Sequence, residues 1–486
     1  MPTFSARSRI PVPASALFDW HARPGAFERL SPPWQTVRLL HAEGIQPGDR
    51  AVIRLGTPPA SVRWVAEHSA TSDACRDGTS VCQFRDTQVE GPFAAWTHTH
   101  RMIPAGPDTC YLDDEVDFEL PLAPVSTRIG GRLAEAQLDR MFAYRHRVTR
   151  EDLIRHAAAD QTPRTVAITG ASGLLGSSLA GLLLTGGHRV VRLVRSREEA
   201  ARMNRSETER AVYWNVARGE IDLEALADAA PDAVVHLAGE PVYGLAFTAD
   251  KKRRIWESRT KGTQLLARAL AALPVRPHVL VSASASGIYG DRGATPITEA
   301  DAPGTGFLAD VCQAWEASTA EAEAAGIRTV HARIGLVLSP AGGMLSTLGP
   351  AVQAGLAAWP GSGQAFWPWI ALDDLLYGFL HLLNDDDLAG PVNLAAPTPE
   401  PAKTVVRTLA RVLHRPRGIG IPAGLVRALG GEVADELALK SVRMLPTRLQ
   451  SAGFRFAYPD LATALRHLYG RLPMPDAAPA PALAPS

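Results

Sequence analysis

Lysine is scarce in this chain: Lys251, Lys252, Lys261, Lys403 and Lys440 are the only five among 486 residues. Any chemistry that depends on a lysine therefore has few places to put one. Cysteine is rarer still, at four (Cys75, Cys82, Cys110, Cys312), and no two form a Cys-x-x-Cys pair. That spacing offers no closed thiolate zinc site, and with no secretory signal at the start the four are expected to be free thiols. There is no excess of charge, with fifty basic against fifty acidic residues, which argues against a protein that works through nucleic-acid phosphates. No apolar run approaches the roughly 18 residues a membrane span requires. Leu174 to Leu184 comes nearest, and serines and a glycine interrupt it. No membrane span is expected, and the expected location is cytoplasmic.

What is present is enough apolar sequence, 46% against 21% charged, to fill more than one core. At about 150 residues per domain the length allows about three. Residues 1–155 are rich in Trp, His and Pro, with a strand-like start at Met1 to Ile10. Further short alternating runs follow at Val37–Leu40, Arg50–Leu55, Val62–His68, Ala94–Met102 and Thr109–Glu119. In the fourth run Trp96, His98 and His100 share one face. Ala14–Trp20 and Ile129–Tyr144 carry helical spacing, so the region reads as α+β. Residues 156–164 are polar and alanine-rich, with Pro163 before a strand, and read as a linker. From 165 to 400 strands and helices alternate, the pattern of a doubly wound parallel α/β sheet. Residues 401–470 read as a helical module, and the Ala/Pro-rich 471–486 as a disordered tail.

The first strand of the α/β region runs Thr165-Val-Ala-Ile-Thr-Gly-Ala-Ser-Gly-Leu-Leu-Gly176. Strand, glycine loop and apolar helix follow in the order a dinucleotide requires. Gly170 makes the tight turn, Gly173 lets backbone approach a pyrophosphate, and Gly176 lets helix pack on strand. Ser172, Leu174 and Leu175 complete the loop and offer backbone N–H groups at a helix N-terminus. The second strand ends Leu193-Val-Arg195-Ser196-Arg197, with no carboxylate to bind a ribose 2′-hydroxyl. A guanidinium there favours NADP(H) over NAD; the alternative is that Arg195 is a solvated strand-end charge. Leu237, Ala238, Gly239 and Glu240 follow a third strand and complete the expected cofactor wall, Glu240 being open to ribose or substrate.

The glycine loop, His236-Leu-Ala-Gly-Glu-Pro241, Trp256-Glu-Ser-Arg259, Ser282-Ala-Ser-Ala-Ser-Gly-Ile-Tyr-Gly290, Arg333-Ile-Gly-Leu-Val-Leu338 and Gly390-Pro-Val-Asn393 resemble the atypical extended short-chain dehydrogenases/reductases. Within that class they look like the epimerase-family proteins. Trp369-Ile370, Asp373-Asp374, Lys440-Ser-Val-Arg443 and Gly453-Phe-Arg-Phe456 extend the resemblance through a small C-terminal module. The first 150 residues resemble the helix-grip domains of polyketide cyclases and lipid-transfer proteins, on Leu30-Ser-Pro-Pro-Trp34, Phe84-Arg-Asp86, Gly91-Pro-Phe93, Trp96 and a closing helix. The resemblance implies a Rossmann domain fused to an N-terminal helix-grip domain that takes an apolar ligand. The expected partners are small molecules, and the sequence leaves the oligomeric state open.

Working members of the short-chain class use a Tyr with a Lys four residues later. None of the eight tyrosines here has one, and Phe307 or Leu308 with Val311 or Cys312 occupy the matching places before Glu316. What remains is Tyr289 as a proton donor and Ser284 as a carbonyl-polarising hydroxyl. A tyrosine at its ordinary pKa near 10 suits neutral pH poorly, so a packing role for Tyr289 stands equally. The leading reading is an NADP(H)-dependent oxidoreductase, and the alternative a non-catalytic NADP sensor or assembly factor. His98 and His100 read as cavity lining or a satisfied surface, with no metal expected. Lys251 to Arg254 reads as a solvated helix face in preference to a phosphate site. Trp359, Phe366, Trp367 and Trp369 read either as substrate lining or as a small hydrophobic core.

Overall fold

The computed structural model describes residues 2–121, 125–159, 162–203, 209–242 and 247–476. It divides into two compact units, the first built mainly on Met1–Gln161 and the second on Thr162–Leu183 with His188–Tyr469. The expected tail falls mostly at 477–486, outside the described residues.

The first unit is one antiparallel sheet of seven strands: β1 (Thr3–Ile10), β2 (Val37–Ala42), β3 (Arg50–Leu55), β4 (Val62–Ser72), β5 (Cys82–Glu90), β6 (Ala95–Gly106) and β7 (Thr109–Glu119). Their order is β1-β7-β6-β5-β4-β3-β2. Short helices α1 (Ala14–Ala22) and α2 (Ala26–Leu30) precede the long α3 (Val125–Ala158). Phe142 and Leu138 of α3 pack on Phe4, Trp96, Val116 and Phe118, so one sheet face grips the helix. The buried Arg29 of α2 forks onto Asp152 of α3 at 2.8 and 2.7 Å, a paired charge the core can tolerate. Two expectations need correction. The linker does not begin at residue 156, because α3 runs on through His156, Ala157 and Ala158. The alanines favour helix, and Arg155 and His156 suit its negative end. Nor are all the cysteines free: Cys75 and Cys82 form a disulfide, since a short 3₁₀ turn at Ala74–Asp77 brings their Cα atoms to 4.9 Å. Cys110 and Cys312 are free and buried.

The second unit carries an eight-stranded sheet. It contains β8 (Thr165–Thr169), β9 (Arg189–Val194), β10 (Glu209–Asn215), β11 (Glu220–Ile221), β12 (Ala233–His236), β13 (Val279–Ala285) and the strands Arg328–Ile334 and Gly390–Leu394. The order is β11-β10-β9-β8-β12-β13 followed by those two strands, and only the β10–β11 pair is antiparallel. Val166, Ala167, Ile168, Val234, Val235, Leu280 and Val281 are all buried, as expected of strands covered on both faces. The covering helices include α4 (Leu174–Thr185), α5 (Arg197–Met203), α6 (Leu223–Ala229), α7 (Ala249–Ala271) and α8 (Phe307–Ala317).

The C-terminal stretch belongs to this same unit. Its short strands Ile419–Ile421 and Arg443–Met444 pair with Ala358–Pro360 and Pro296–Ile297. Asp374 accepts the N–H groups of Ala457 and Tyr458 at 2.7 and 3.0 Å, and Asp373 meets His467 at 2.7 Å. The two adjacent aspartates thus anchor the module. Among the described residues no helix is long and apolar enough to cross a membrane.

Candidate active site

At the end of β8 the chain enters a left-handed turn at Gly170 (φ +68°), where a Cβ would meet Leu237 and Ala238 backbone at 3.0 Å. A Cβ at Gly176 would lie 2.3 Å from the Gly170 carbonyl oxygen, so α4 reaches this close to the turn only with glycine there. At Gly173 the nearest obstacle is that same oxygen at 3.3 Å, and both Ser172 and Gly173 are exposed. Leu174 and Leu175 are half-buried. The N–H groups of Leu174, Leu175 and Gly176 open α4 with no carbonyl partner among the described residues. They form a ready anion cradle at a positive helix end. Arg192, which the sequence reading passed over, steadies the loop by donating to the Ala171 carbonyl at 3.2 Å.

The opposite wall is set by Thr169. Its Oγ1 accepts the N–H groups of Leu237 and Ala238 at 3.0 and 3.1 Å. The hydroxyl proton therefore goes to His236 Nδ1, 2.7 Å away, which places the imidazole proton on Nε2, 3.0 Å from Thr263 Oγ1. Burial, aided by the charge of Arg259, pulls the His236 pKa down to about 4 and keeps the ring neutral. Gly239 and Glu240 continue the wall, pinned by Ser258 Oγ on the Glu240 N–H and by Arg259 on its carbonyl, both at 2.9 Å.

The Glu240 side chain is occupied by Lys251 at 2.8 Å and Arg254 at 3.4 Å, which hold its carboxyl below the ordinary range. Lys252 pairs with Glu432 and Arg253 with Asp250, so the basic cluster is paired internally. Past β9, Arg195 is exposed. Ser196 caps α5 by accepting the Glu199 N–H, and Arg197 lies over the Tyr213 ring at 4.1 Å.

Tyr289 and Ser284 fall together, but in the interior. Ser284 donates to Glu316 at 2.7 Å, and Glu316 takes a two-pronged pair from Arg333 at 2.9 Å each. Arg333 also donates to the Tyr289 hydroxyl at 2.9 Å, and that hydroxyl donates to Asn393 at 2.7 Å. Tyr289 is fully buried, and burial raises its pKa further in spite of Arg333. The phenol thus has both hydrogen-bonding directions filled and no exposure. This geometry speaks against Tyr289 as a donor and against Ser284 as a free hydroxyl.

Lys440 and Glu436 form an ion pair 2.7 Å apart. Both lie over the start of α8: a Cβ at Gly306 would meet Lys440 Nζ at 2.8 Å, and Glu436 accepts the Leu308 N–H at 3.3 Å. Trp359, Trp367 and Trp369 are buried, with Trp369 donating to the Thr398 carbonyl, which favours the small-core reading.

Comparison with known proteins agrees with this construction. Residues 166–395 match the NAD dependent epimerase/dehydratase family, residues 421–468 a domain of unknown function (DUF1731), and residues 10–142 the polyketide cyclase/dehydrase and lipid transport family. Epimerase family protein Mb2239 of Mycobacterium bovis is 39% identical over 300 residues, covering 62% of this chain and 96% of the relative. The chain belongs to the epimerase family. Its relative YfhF of Bacillus subtilis is 33% identical over 305 residues, covering 62% of this chain and 97% of YfhF.

Among solved structures, the nucleoside-diphosphate sugar epimerase of Corynebacterium glutamicum is similar over 97% of this chain and 91% of its own. It has a TM-score of 0.77 and 32% identity. The human epimerase family protein SDR39U1, solved with NADPH, is similar over 63% of this chain and 100% of its own, with a TM-score of 0.55 and 25% identity. This epimerase-family protein thus pairs a Rossmann domain with an N-terminal helix-grip domain.

Proposed function

We propose that the second unit binds NADP(H) and acts as an oxidoreductase or epimerase-like enzyme on a small molecule, while the helix-grip unit takes an apolar ligand. The observation that carries the reading is the cradle at Gly170–Gly176, where a glycine-only approach, an exposed Gly173 and unpartnered N–H groups converge on one anion-sized place. Gly170, Ser172, Gly173, Leu174, Leu175 and Gly176 would hold the pyrophosphate. Leu237, Ala238, Gly239 and Glu240 would line the dinucleotide. Arg195 and Ser196, at the end of β9, would receive the 2′-phosphate, the Ser196 hydroxyl exchanging the Glu198 carboxylate to which it donates. The human relative, solved with NADPH, supports the same choice. A bound nicotinamide supplies hydride transfer. With Tyr289 sequestered, proton handling on this chain falls to Lys440 and Glu436.

The burial of Tyr289 equally favours a second reading, an NADP-binding sensor without turnover. Calorimetric titration with NADPH and NADH tests the cofactor assignment. NADPH is expected to bind at least about tenfold more tightly, and Arg195→Asp to erase the preference by removing a contact worth about 1.4 kcal/mol or more. Equal affinity for both cofactors in the native protein would remove Arg195 from this role.

A further inference from the structure

The helix-grip unit holds a cluster that the Rossmann site does not use. Strand pairing assembles it: His98 and His100 lie two apart on β6, Asp86 faces His98 across β5, and Asp114 faces His100 across β7. His146 of α3 closes the group from above, with Nε2 2.7 Å from Asp114 Oδ2 and Nδ1 2.7 Å from Ser8 Oγ. Contrary to the surface reading of the sequence, His98, His100, His146 and Asp114 are all buried.

Asp114 Oδ1 takes His98 Nε2 at 3.1 Å and lies 2.5 Å from His100 Nδ1. Asp114 thus takes up the far nitrogen of His98 through a hydrogen bond and crowds that of His100. The remaining nitrogens, His98 Nδ1 and His100 Nε2, lie on the other side of the rings. Both face Asp86 Oδ2, at 3.7 and 3.9 Å. The Asp86 carboxyl group receives no hydrogen bond among the described residues. One ligand atom from each of the three residues lies within 4.8 Å of the other two. Two donors each about 2.1 Å from one tetrahedral ion lie about 3.4 Å apart, close to these spacings.

We propose that Asp86, His98 and His100 form a binding site for a divalent transition ion of the zinc class, with positions left open toward the ligand space of the grip. Two imidazoles and one carboxylate suit zinc or ferrous iron better than the oxygen-seeking calcium or magnesium. Asp114 is the orienting carboxylate behind both rings, and His146 with Ser8 fixes Asp114 in turn.

The test uses the full-length untagged protein, stripped with chelator and titrated with Zn²⁺ and then Co²⁺. One equivalent per chain is expected, with visible ligand-field absorption on cobalt loading. Asp86→Asn together with His98→Gln should abolish it, and Asp114→Asn should weaken it by about 10–100-fold. Circular dichroism checks that each variant is folded. Less than about a tenth of an equivalent in the native protein would overturn the proposal and leave a proton on Asp86 as the occupant. So would undiminished affinity in the folded double variant. If that variant does not fold, anomalous diffraction from zinc-loaded native crystals decides: a peak among Asp86, His98 and His100 supports the site, and a peak elsewhere refutes it.

Discussion

His236 offers a measurement in which the folded unit is its own control. Its Nδ1 must stay unprotonated to accept from Thr169, whose hydroxyl holds the Leu237–Ala238 turn that walls the proposed cofactor cleft. Burial lowers its pKa to about 4, against 6.5 when unfolded. Between those values the unfolded chain binds the proton that the native chain refuses. Stability from this residue is therefore fully present above pH 6.5 and is lost progressively as pH falls toward 4. The interval of about 2.5 pH units, at about 1.36 kcal/mol each, amounts to about 3 kcal/mol. Urea unfolding followed at closely spaced pH values should show that slope in the native protein. His236→Asn lowers stability at every pH but cannot titrate, so its curve should be flatter by about the same 3 kcal/mol across the interval. Parallel curves for the two proteins would refute the neutral-tautomer reasoning, whatever their separation.

Three further predictions concern the same unit. Gly176→Ala places a Cβ 2.3 Å from a backbone oxygen and should cost about 1–3 kcal/mol of stability. Gly173→Ala meets the Gly170 carbonyl oxygen at 3.3 Å, a milder crowding than at Gly176, so it should cost less stability than Gly176→Ala while NADPH affinity by calorimetry falls at least about tenfold; unchanged affinity would dissociate the loop from the cofactor. Tyr289→Phe removes a buried hydroxyl shared by Arg333 and Asn393 and should cost about 1–3 kcal/mol in urea unfolding, with NADPH affinity unchanged. A folded variant with native stability but no turnover would instead restore Tyr289 as a donor.

The glycine loop was legible because its requirement is local: within seven residues Gly170 and Gly176 answer backbone needs and Gly173 a ligand's approach. The β8–β9 and β12–β13 strands were legible for a similar reason, since double burial demands continuous apolar runs. β10 was missed, as only Ala211 to Trp214 is apolar there and flanking charges break the pattern. The Cys75–Cys82 pairing left no trace, because nothing in a seven-residue spacing tells a closed turn from two separate thiols. Tyr289 stood open between two roles because a tyrosine after a strand looks the same whether its hydroxyl meets substrate or Asn393. Glu316, Arg333 and Asn393 all stood in recognised motifs, yet their shared purpose appears only once β13 and its neighbouring strands set them side by side.

The Lys440–Glu436 pair shows why the charges around α8 are not read from one element. Extended short-chain enzymes carry both members of their acid–base pair on the helix that corresponds to α8, where spacing along one helix makes them visible. In this chain α8 presents Phe307 and Leu308 instead, and the charges over its start arrive from 128 residues downstream of Leu308. Glu436 is held by the Leu308 N–H at the positive end of α8, and Lys440 follows it by four residues. The C-terminal module, fastened by Asp373 and Asp374, is what carries that pair to α8. The start of α8 is therefore shaped jointly by the Rossmann sheet and by a module more than 100 residues further along the chain, which no reading of α8 alone reveals.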